Sequence, residues 1–343
     1  MRFGLFGGAQ AKRSVNNDVD SVLGFRQWLD YNIEAEALGY HSTFSVEHHF
    51  TGFGQVSATL NLLTYLAAQT TTLRLGTAVL VLPWHNPVLL AEQAATLDLL
   101  SGGRLDFGVG KGYRHNEFAG FCIPMEEAGE RFEEALEVIT KAWVSNDRFS
   151  HTGKYWRFED IVVEPPTAQK PHPPFWMGAG SPASIEMVAE RGYNLLLDQY
   201  CTIAAAIERR DHFKAEVEKR GRTFDPSEVG VARGLFVANN AAERDEALDK
   251  RVEARARIDK LAERPDGDNK SSLMAFSDTR AVSEEGALFG TPDEICEKLE
   301  RMRKGGIEYV LLTNAGGGAE HLRRFAAEIM PAFAGSSSAK AAE

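Results

Sequence analysis

Apolar residues along this chain recur in two alternating rhythms, short β-prone runs and longer stretches at helical spacing. Phe3 to Phe6 predicts a first strand, and Phe25, Leu29, Ile33 and Leu38 mark a helix over Val22 to Leu38 that Gly39 stops. A second strand over His41 to Val46 runs into the polar cluster Glu47-His48-His49. Leu60, Leu63, Tyr65 and Leu66 predict a helix within Val56 to Gln69, and Leu73 to Leu82 reads as a third strand. Asn86-Pro87 combines a cap with a proline at the first helical position, so a helix runs from there to about Leu100. Leu105 to Val109 is the fourth strand, and Phe132, Ala135, Leu136, Ile139 and Trp143 trace one face of the helix behind it.

Trp156 to Val163 and the prolines that follow break the rhythm, which predicts an excursion, a small hairpin, before the fifth strand at Phe175 to Met177. Alternation then resumes through Ile185 to Arg191, Tyr193 to Leu197, Ile203 to Arg220, Val229 to Val237 and Ala241 to Leu261. Thr291-Pro292-Asp293-Glu294 spells a reciprocal capping box that opens a helix ending near Gly305-Gly306. Tyr309 to Thr313 is the last strand, Leu322 to Phe333 the last helix, and residues 335–343 a flexible tail.

Eight strands separated by helices predict a single α/β domain, a (β/α)8 TIM barrel over residues 1–334. A doubly wound sheet would call for a dinucleotide fingerprint after the first strand, and Phe6-Gly7-Gly8-Ala9-Gln10 is not one. Two insertions interrupt the barrel, at about 146–174 before the fifth strand and at about 262–289 before the last β/α unit. The second lacks periodicity, and a lid and a solvated spacer are both open readings for it.

Composition narrows the partners. A net charge of −11 spread over 343 residues disfavours nucleic acid or an anionic membrane surface and points to small molecules. Cys122, Cys201 and Cys296 are odd in number and lack metal-ligand spacing, which suggests neither a disulfide framework nor a zinc site. No signal sequence and no apolar run long enough to span a bilayer is visible, and the expected location is the cytoplasm.

A barrel collects its chemistry on the loops after its strands. That rule gathers His48 and His49 with Trp84-His85-Asn86, the loop Lys111 to Asn116, Gly178 to Ser181, and Asn314. If Glu47 to His49 continue the second strand, alternation sends Glu47 and His49 to one face and His48 to the other, which argues against one shared metal. The cluster then offers an acid/base histidine with supporting neighbours, or a satisfied pair on a barrel rim. Gly178-Ala179-Gly180-Ser181-Pro182-Ala183-Ser184 is the anion-binding candidate, with glycines, free helical amides and two hydroxyls; Ser181 could equally serve as a simple cap. Lys111, at the neighbouring strand end, would bring a positive charge to the same anion.

Three segments carry a resemblance: Glu47 to Phe50, Arg74 to Pro83, and Gly102 to Gly110. In order and spacing they resemble the bacterial luciferase-like flavin monooxygenases, from residue 1 to about 200 and again at Gly290 to Glu294. The resemblance implies a barrel that binds reduced FMN and uses O2 to oxidise a small organic substrate, an aldehyde being one candidate, through a flavin–oxygen adduct. It implies catalysis by His48, with His49 on the substrate side or in support. It also implies flavin backing by Ala78 and Val79 across a non-proline cis peptide, and phosphate binding by Lys111, Gly180, Ser181 and Ser184.

Three positions depart from luciferase itself: Gly110 stands for a reactive cysteine, Lys111 for an arginine, and Gly180 for an acidic residue. Loss of the thiol argues against light emission and long-chain aldehyde specificity, while lysine keeps the charge and loses the bidentate fork. With no nicotinamide motif in view, a separate flavin reductase is the expected partner, and a homodimer is the family-level expectation. Alternative readings are a deazaflavin-dependent oxidoreductase of the same superfamily and a non-catalytic flavin-binding protein; a metal-dependent hydrolase is weaker.

Overall fold

Apolar runs too short to bury themselves alone pair edge to edge until no edge is left. In a computed structural model, which describes residues 1–13, 19–145, 147–262 and 280–334, eight parallel strands do this. They are β1 (Arg2–Gly7), β2 (Ser42–Ser45), β3 (Arg74–Thr77), β4 (Leu105–Gly110), β5 (Phe175–Gly178), β6 (Asn194–Leu197), β7 (Val229–Val237) and β8 (Tyr309–Asn314). Neighbours pair in chain order, and β8 pairs back to β1, giving a closed TIM barrel.

The cylinder's inside is filled by setting large side chains against glycines in register. Phe44 pairs with Gly76, Trp176 with Gly108, Leu196 with Gly230, and Leu311 with Gly4. A Cβ at Gly76 would lie 2.3 Å from the Phe44 ring, and one at Gly108 would lie 1.7 Å from the Thr77 carbonyl oxygen. Below this layer Asp106 accepts both Nε and Nη2 of Arg74 at 2.8 Å and the Trp176 indole N–H at 3.1 Å. The outer helices cover the sheet with apolar stripes, as the helix Ala128–Val144 does with Phe132, Leu136, Ile139 and Trp143.

Several boundaries differ from the sequence expectation for local reasons. The third apolar run is not one strand: β3 stops at Thr77, the Ala78–Val79 peptide is cis, and pairing resumes only at Leu80–Val81. The Thr77 hydroxyl bridges the break, donating to the Gly108 carbonyl at 2.7 Å and accepting its amide at 2.8 Å. Glu47 to His49 lie beyond β2, which ends at Ser45, so the strand-alternation argument does not govern them. This stretch is instead pinned by the His48 amide to the Val56 carbonyl at 3.0 Å, with Phe50 at a positive φ of 54°.

The excursion before β5 contains an antiparallel hairpin, Phe149–Thr152 with Arg157–Ile161. Within 262–289, residues 263–279 lie outside the described residues, but Arg280–Gly286 is helical and Leu288–Gly290 adds a short strand beside β7. The last helix starts earlier than its apolar pattern suggests, at Gly318, and widens into a π turn over Phe325–Ile329 next to Pro331, which cannot donate a helical hydrogen bond. The tail at 335–343 lies outside the described residues. Among the described residues, no helix is long and apolar enough to cross a membrane.

Candidate active site

Glu47 is buried just past β2, and three donors converge on its carboxylate. Oε1 accepts His49 Nε2 at 2.9 Å and His85 Nε2 at 2.7 Å, while Oε2 accepts the Val81 amide at 2.8 Å. A carboxylate oxygen only accepts, so both imidazoles carry their proton on Nε2. Burial pushes the Glu47 carboxyl upward, but the hydrogen bonds from His49 and His85 and the His85 charge outweigh it and hold the group below its ordinary 4.5. Among the described residues, no group of three or more His, Cys, Asp or Glu side chains is arranged to hold a metal ion.

His48 turns to a different carboxylate. Its Nδ1 lies 3.1 Å from Glu117 Oε1, which also accepts the His49 amide at 2.9 Å. Nδ1–H is therefore the donor, and the neutral ring keeps its lone pair on Nε2, a proton acceptor facing away from Glu117. Glu117 comes from the helix His115–Gly120 after β4, and its side chain is 3% exposed against 16% for His48. Sequence reading missed it, although it ends the Arg114-His115-Asn116-Glu117 segment of a loop already marked as rim.

Burial is the strongest influence on the His48 pKa and lowers it; Glu117 opposes, Arg114 reinforces, and the net lies below the ordinary 6.5. An NMR titration of the ring is expected to give a midpoint below 6.5, moving lower still in Glu117→Gln, where a raising influence is removed. A midpoint above 6.5 would show that burial does not dominate.

An aromatic wall surrounds the histidines. The His49 ring lies 5.3 Å from Trp84 and 4.8 Å from Phe121, and Trp84 also meets Phe118 at 5.4 Å. Phe50, 59% exposed, closes the outer side at 5.0 Å from Phe121. Val79 packs under Gly110, where a Cβ would fall 2.5 Å from Val79 Cγ2, so a larger side chain there requires Val79 to move.

The anion candidates meet at the adjoining strand ends, because Val109 pairs with Met177 and brings exposed Lys111 beside the loop Gly178 to Ser181. Gly178 faces open space, and the helix Pro182–Arg191 begins directly after Ser181. The two serine hydroxyls are already engaged: Ser181 Oγ accepts the Ser184 amide at 3.3 Å, Ser184 Oγ accepts the Ser181 amide at 3.1 Å, and the hydroxyls lie 2.9 Å apart. This reciprocal cap is the alternative left open by the sequence reading, and Lys111 with the amides of Gly180 and Ala183 are donors it does not use.

The opposite side of the mouth holds residues that the sequence reading did not single out. The helix Ala241–Ala262 leaves β7 and reaches the helix His115–Gly120. Arg251 donates to Gln199 Oε1 at 3.1 Å and to the Gln199 carbonyl at 2.9 Å, and it stands over the interior side of Gly234. Arg255, 4% exposed, lies 3.9 Å over the Tyr200 ring.

Buried polar atoms without a hydrogen-bond partner collect at this rim: Ser45 Oγ, Trp84 Nε1, Arg114 Nε and Nη1, Asn116 Oδ1 and Thr313 Oγ1. Buried polar groups are ordinarily satisfied, and an aromatic wall ringed by open donors and acceptors fits a large heteroaromatic group with polar edges. A flavin has that chemistry. Ala78 and Val79 would back its ring, and Lys111 with the start of the helix Pro182–Arg191 would hold its phosphate.

Known proteins bear on the same point. The family model described as luciferase-like monooxygenase matches residues 1–309. A flavin-dependent trigonelline monooxygenase, oxygenase component, from Acinetobacter baylyi is 26% identical over 97% of this chain and 96% of its own length. A crystal structure of a monooxygenase from Streptomyces bottropensis superposes with a TM-score of 0.79 at 25% identity, covering 97% of this chain and all (100%) of the other. An F420-dependent secondary alcohol dehydrogenase, F420 being a deazaflavin, shares the fold with a TM-score of 0.78 at 18% identity over 97% of this chain and 99% of its own. With its barrel, its histidine-lined mouth and a family match through residue 309, the chain belongs to the luciferase-like monooxygenases and is a flavin-dependent monooxygenase by class.

Proposed function

We propose that this protein is the oxygenase half of a two-component system, receiving reduced FMN from a separate flavin reductase and using O2 to oxidise a small organic substrate. The observation that carries the reading is His48, fixed by Glu117 with Nε2 as proton acceptor, on the same rim as Lys111 and the start of the helix Pro182–Arg191. Bound reduced FMN supplies the electrons and the site of reaction with O2.

The chain's residues do the rest. Lys111 and the Gly180 and Ala183 amides bind the phosphate end, Ala78 and Val79 support the ring, and Trp84, Phe118 and Phe121 keep bulk water from it. His48 takes or returns a proton at Nε2, Glu117 holds the imidazole in that tautomer, and Glu47 fixes His49 and His85 around it. The relative from Acinetobacter baylyi supports the reductase, since an oxygenase component implies a second component. Crowding of Gly110 against Val79 speaks against a luciferase-type thiol at that position.

The test mixes the protein with reduced FMN in aerated buffer and follows the return of oxidised flavin. Return slower than for free FMN, together with substrate-dependent oxygen uptake in a screen, is the expected result. An unchanged return overturns the reading, and turnover with reduced deazaflavin but not FMN, in the absence of oxygen, moves the assignment to hydride transfer.

A further inference from the structure

The mouth carries positive charge that flavin binding leaves unassigned. Arg114, on the loop after β4, is 3% exposed, and its Nε and Nη1 are buried without a hydrogen-bond partner. Glu117 Oε1 stands 3.8 Å from Nη1, beyond hydrogen-bond range, because that oxygen already serves His48 Nδ1 and the His49 amide. Glu117 thus offsets part of the guanidinium's charge and leaves its N–H groups open. Arginine stays charged at any working pH, and its planar fork matches the two oxygens of a carboxylate.

Two arginine–tyrosine groups stand at the mouth. Arg114 lies 5.7 Å from the Tyr113 ring centre, and Arg255 and Arg251 lie 3.9 and 5.2 Å from that of Tyr200. Lys111 adds a further positive charge on the same loop, although the chain as a whole carries −11. The nearby carboxylates, Glu47 and Glu117, are committed to histidines and backbone amides.

We propose, building on the flavin monooxygenase reading, that the substrate is an organic carboxylate and that Arg114 anchors it through its guanidinium N–H groups beside His48. Tyr113 flanks the anchor with a flat ring, which suits an aromatic or other planar acid. The competing anion is the phosphate of FMN, for which Lys111 and the helix Pro182–Arg191 offer a separate seat on the β4 and β5 side.

Benzoate and benzamide, matched in shape and differing in charge, are the probes, titrated by calorimetry into the FMN-loaded protein. Benzoate is expected to bind at least about tenfold tighter than benzamide, and Arg114→Met to lose about 10- to 100-fold in benzoate affinity, the range of a charged hydrogen bond. Arg114→Lys should keep a smaller preference, and it carries the test if the methionine variant does not fold. FMN and riboflavin are titrated into the same proteins, and their affinity ratio should be unchanged in Arg114→Met. Equal binding of the two probes, no binding of either, or a full benzoate preference in the variants overturns the proposal. Collapse of the FMN preference over riboflavin in Arg114→Met also overturns it and assigns Arg114 to the phosphate. Loss of FMN binding with the benzoate preference intact sinks the flavin reading and supports this one.

Discussion

His48→Ala is expected to lower turnover about 10²- to 10⁴-fold, the usual share of a positioned acid/base, while FMN still binds. The ring's Nδ1 is spoken for by Glu117, so its Nε2 is the atom free to exchange a proton with bound substrate or cofactor. The proposed phosphate donors lie on another strand pair, β4 and β5, and their geometry does not pass through His48. Glu117→Gln keeps an acceptor oxygen but loses the charge, and its activity should fall between those of the parent and His48→Ala. Oxygen uptake under saturating FMN, beside an FMN titration, checks both. If His48→Ala loses FMN binding or folding in step with activity, the histidine is a structural rim residue instead.

Asp106→Ala is expected to cost about 2–3 kcal/mol of stability, because it strands a partly buried guanidinium and a buried indole N–H at once. Asp106 is 3% exposed, takes two 2.8 Å hydrogen bonds from Arg74 and one of 3.1 Å from Trp176, and sits under the glycine layer of the barrel. The urea-unfolding midpoint should drop accordingly, and Arg74→Ala combined with Asp106→Ala should lose less than the sum of the two. A change under about 1 kcal/mol in Asp106→Ala would show that water reaches the pair and screens it.

Those two residues also show how far the sequence could be read. Caps, proline positions and apolar rhythm are local signals, and Asn86-Pro87 and Thr291 to Glu294 start helices where expected, with Asn86 and Thr291 accepting the first amides. Strand count and order follow from the same signals, and so the barrel was legible. Pairings across long stretches of chain were not. The segments Arg74 to Pro83 and Gly102 to Gly110 read as site motifs, yet Arg74 and Asp106 hold each other below the site. Arg104 ties the Ala67 to Leu73 turn by donating to the carbonyls of Ala67, Thr70 and Leu73. Much of what makes those segments recognisable is therefore scaffold.

In the site itself, residue type and rim position were enough to single out His48, His49, Lys111 and the loop Gly178 to Ser184. The strand-alternation argument separated His48 from Glu47 and His49 by a geometry the backbone does not have. The separation exists because Glu117, 69 residues further along, draws His48 away while Glu47 keeps His49. A single chain offers no periodicity that reports such a partner. The serines at 181 and 184 are a second case of local closure, since the hydroxyls read as anion donors also close the start of the helix.

The carboxylate of Glu47 gathers His49, His85 and the Val81 amide from two different loops. Substitutions at these positions will be epistatic: any one leaves the others with an orphaned partner, so combined changes will not behave as the sum of single ones. The β2 and β3 side of the mouth is thus poor ground for engineering new specificity. The side formed by Tyr200 and the helix Ala241–Ala262 shares none of those bonds, so changes there can be combined with the Glu47 cluster left intact.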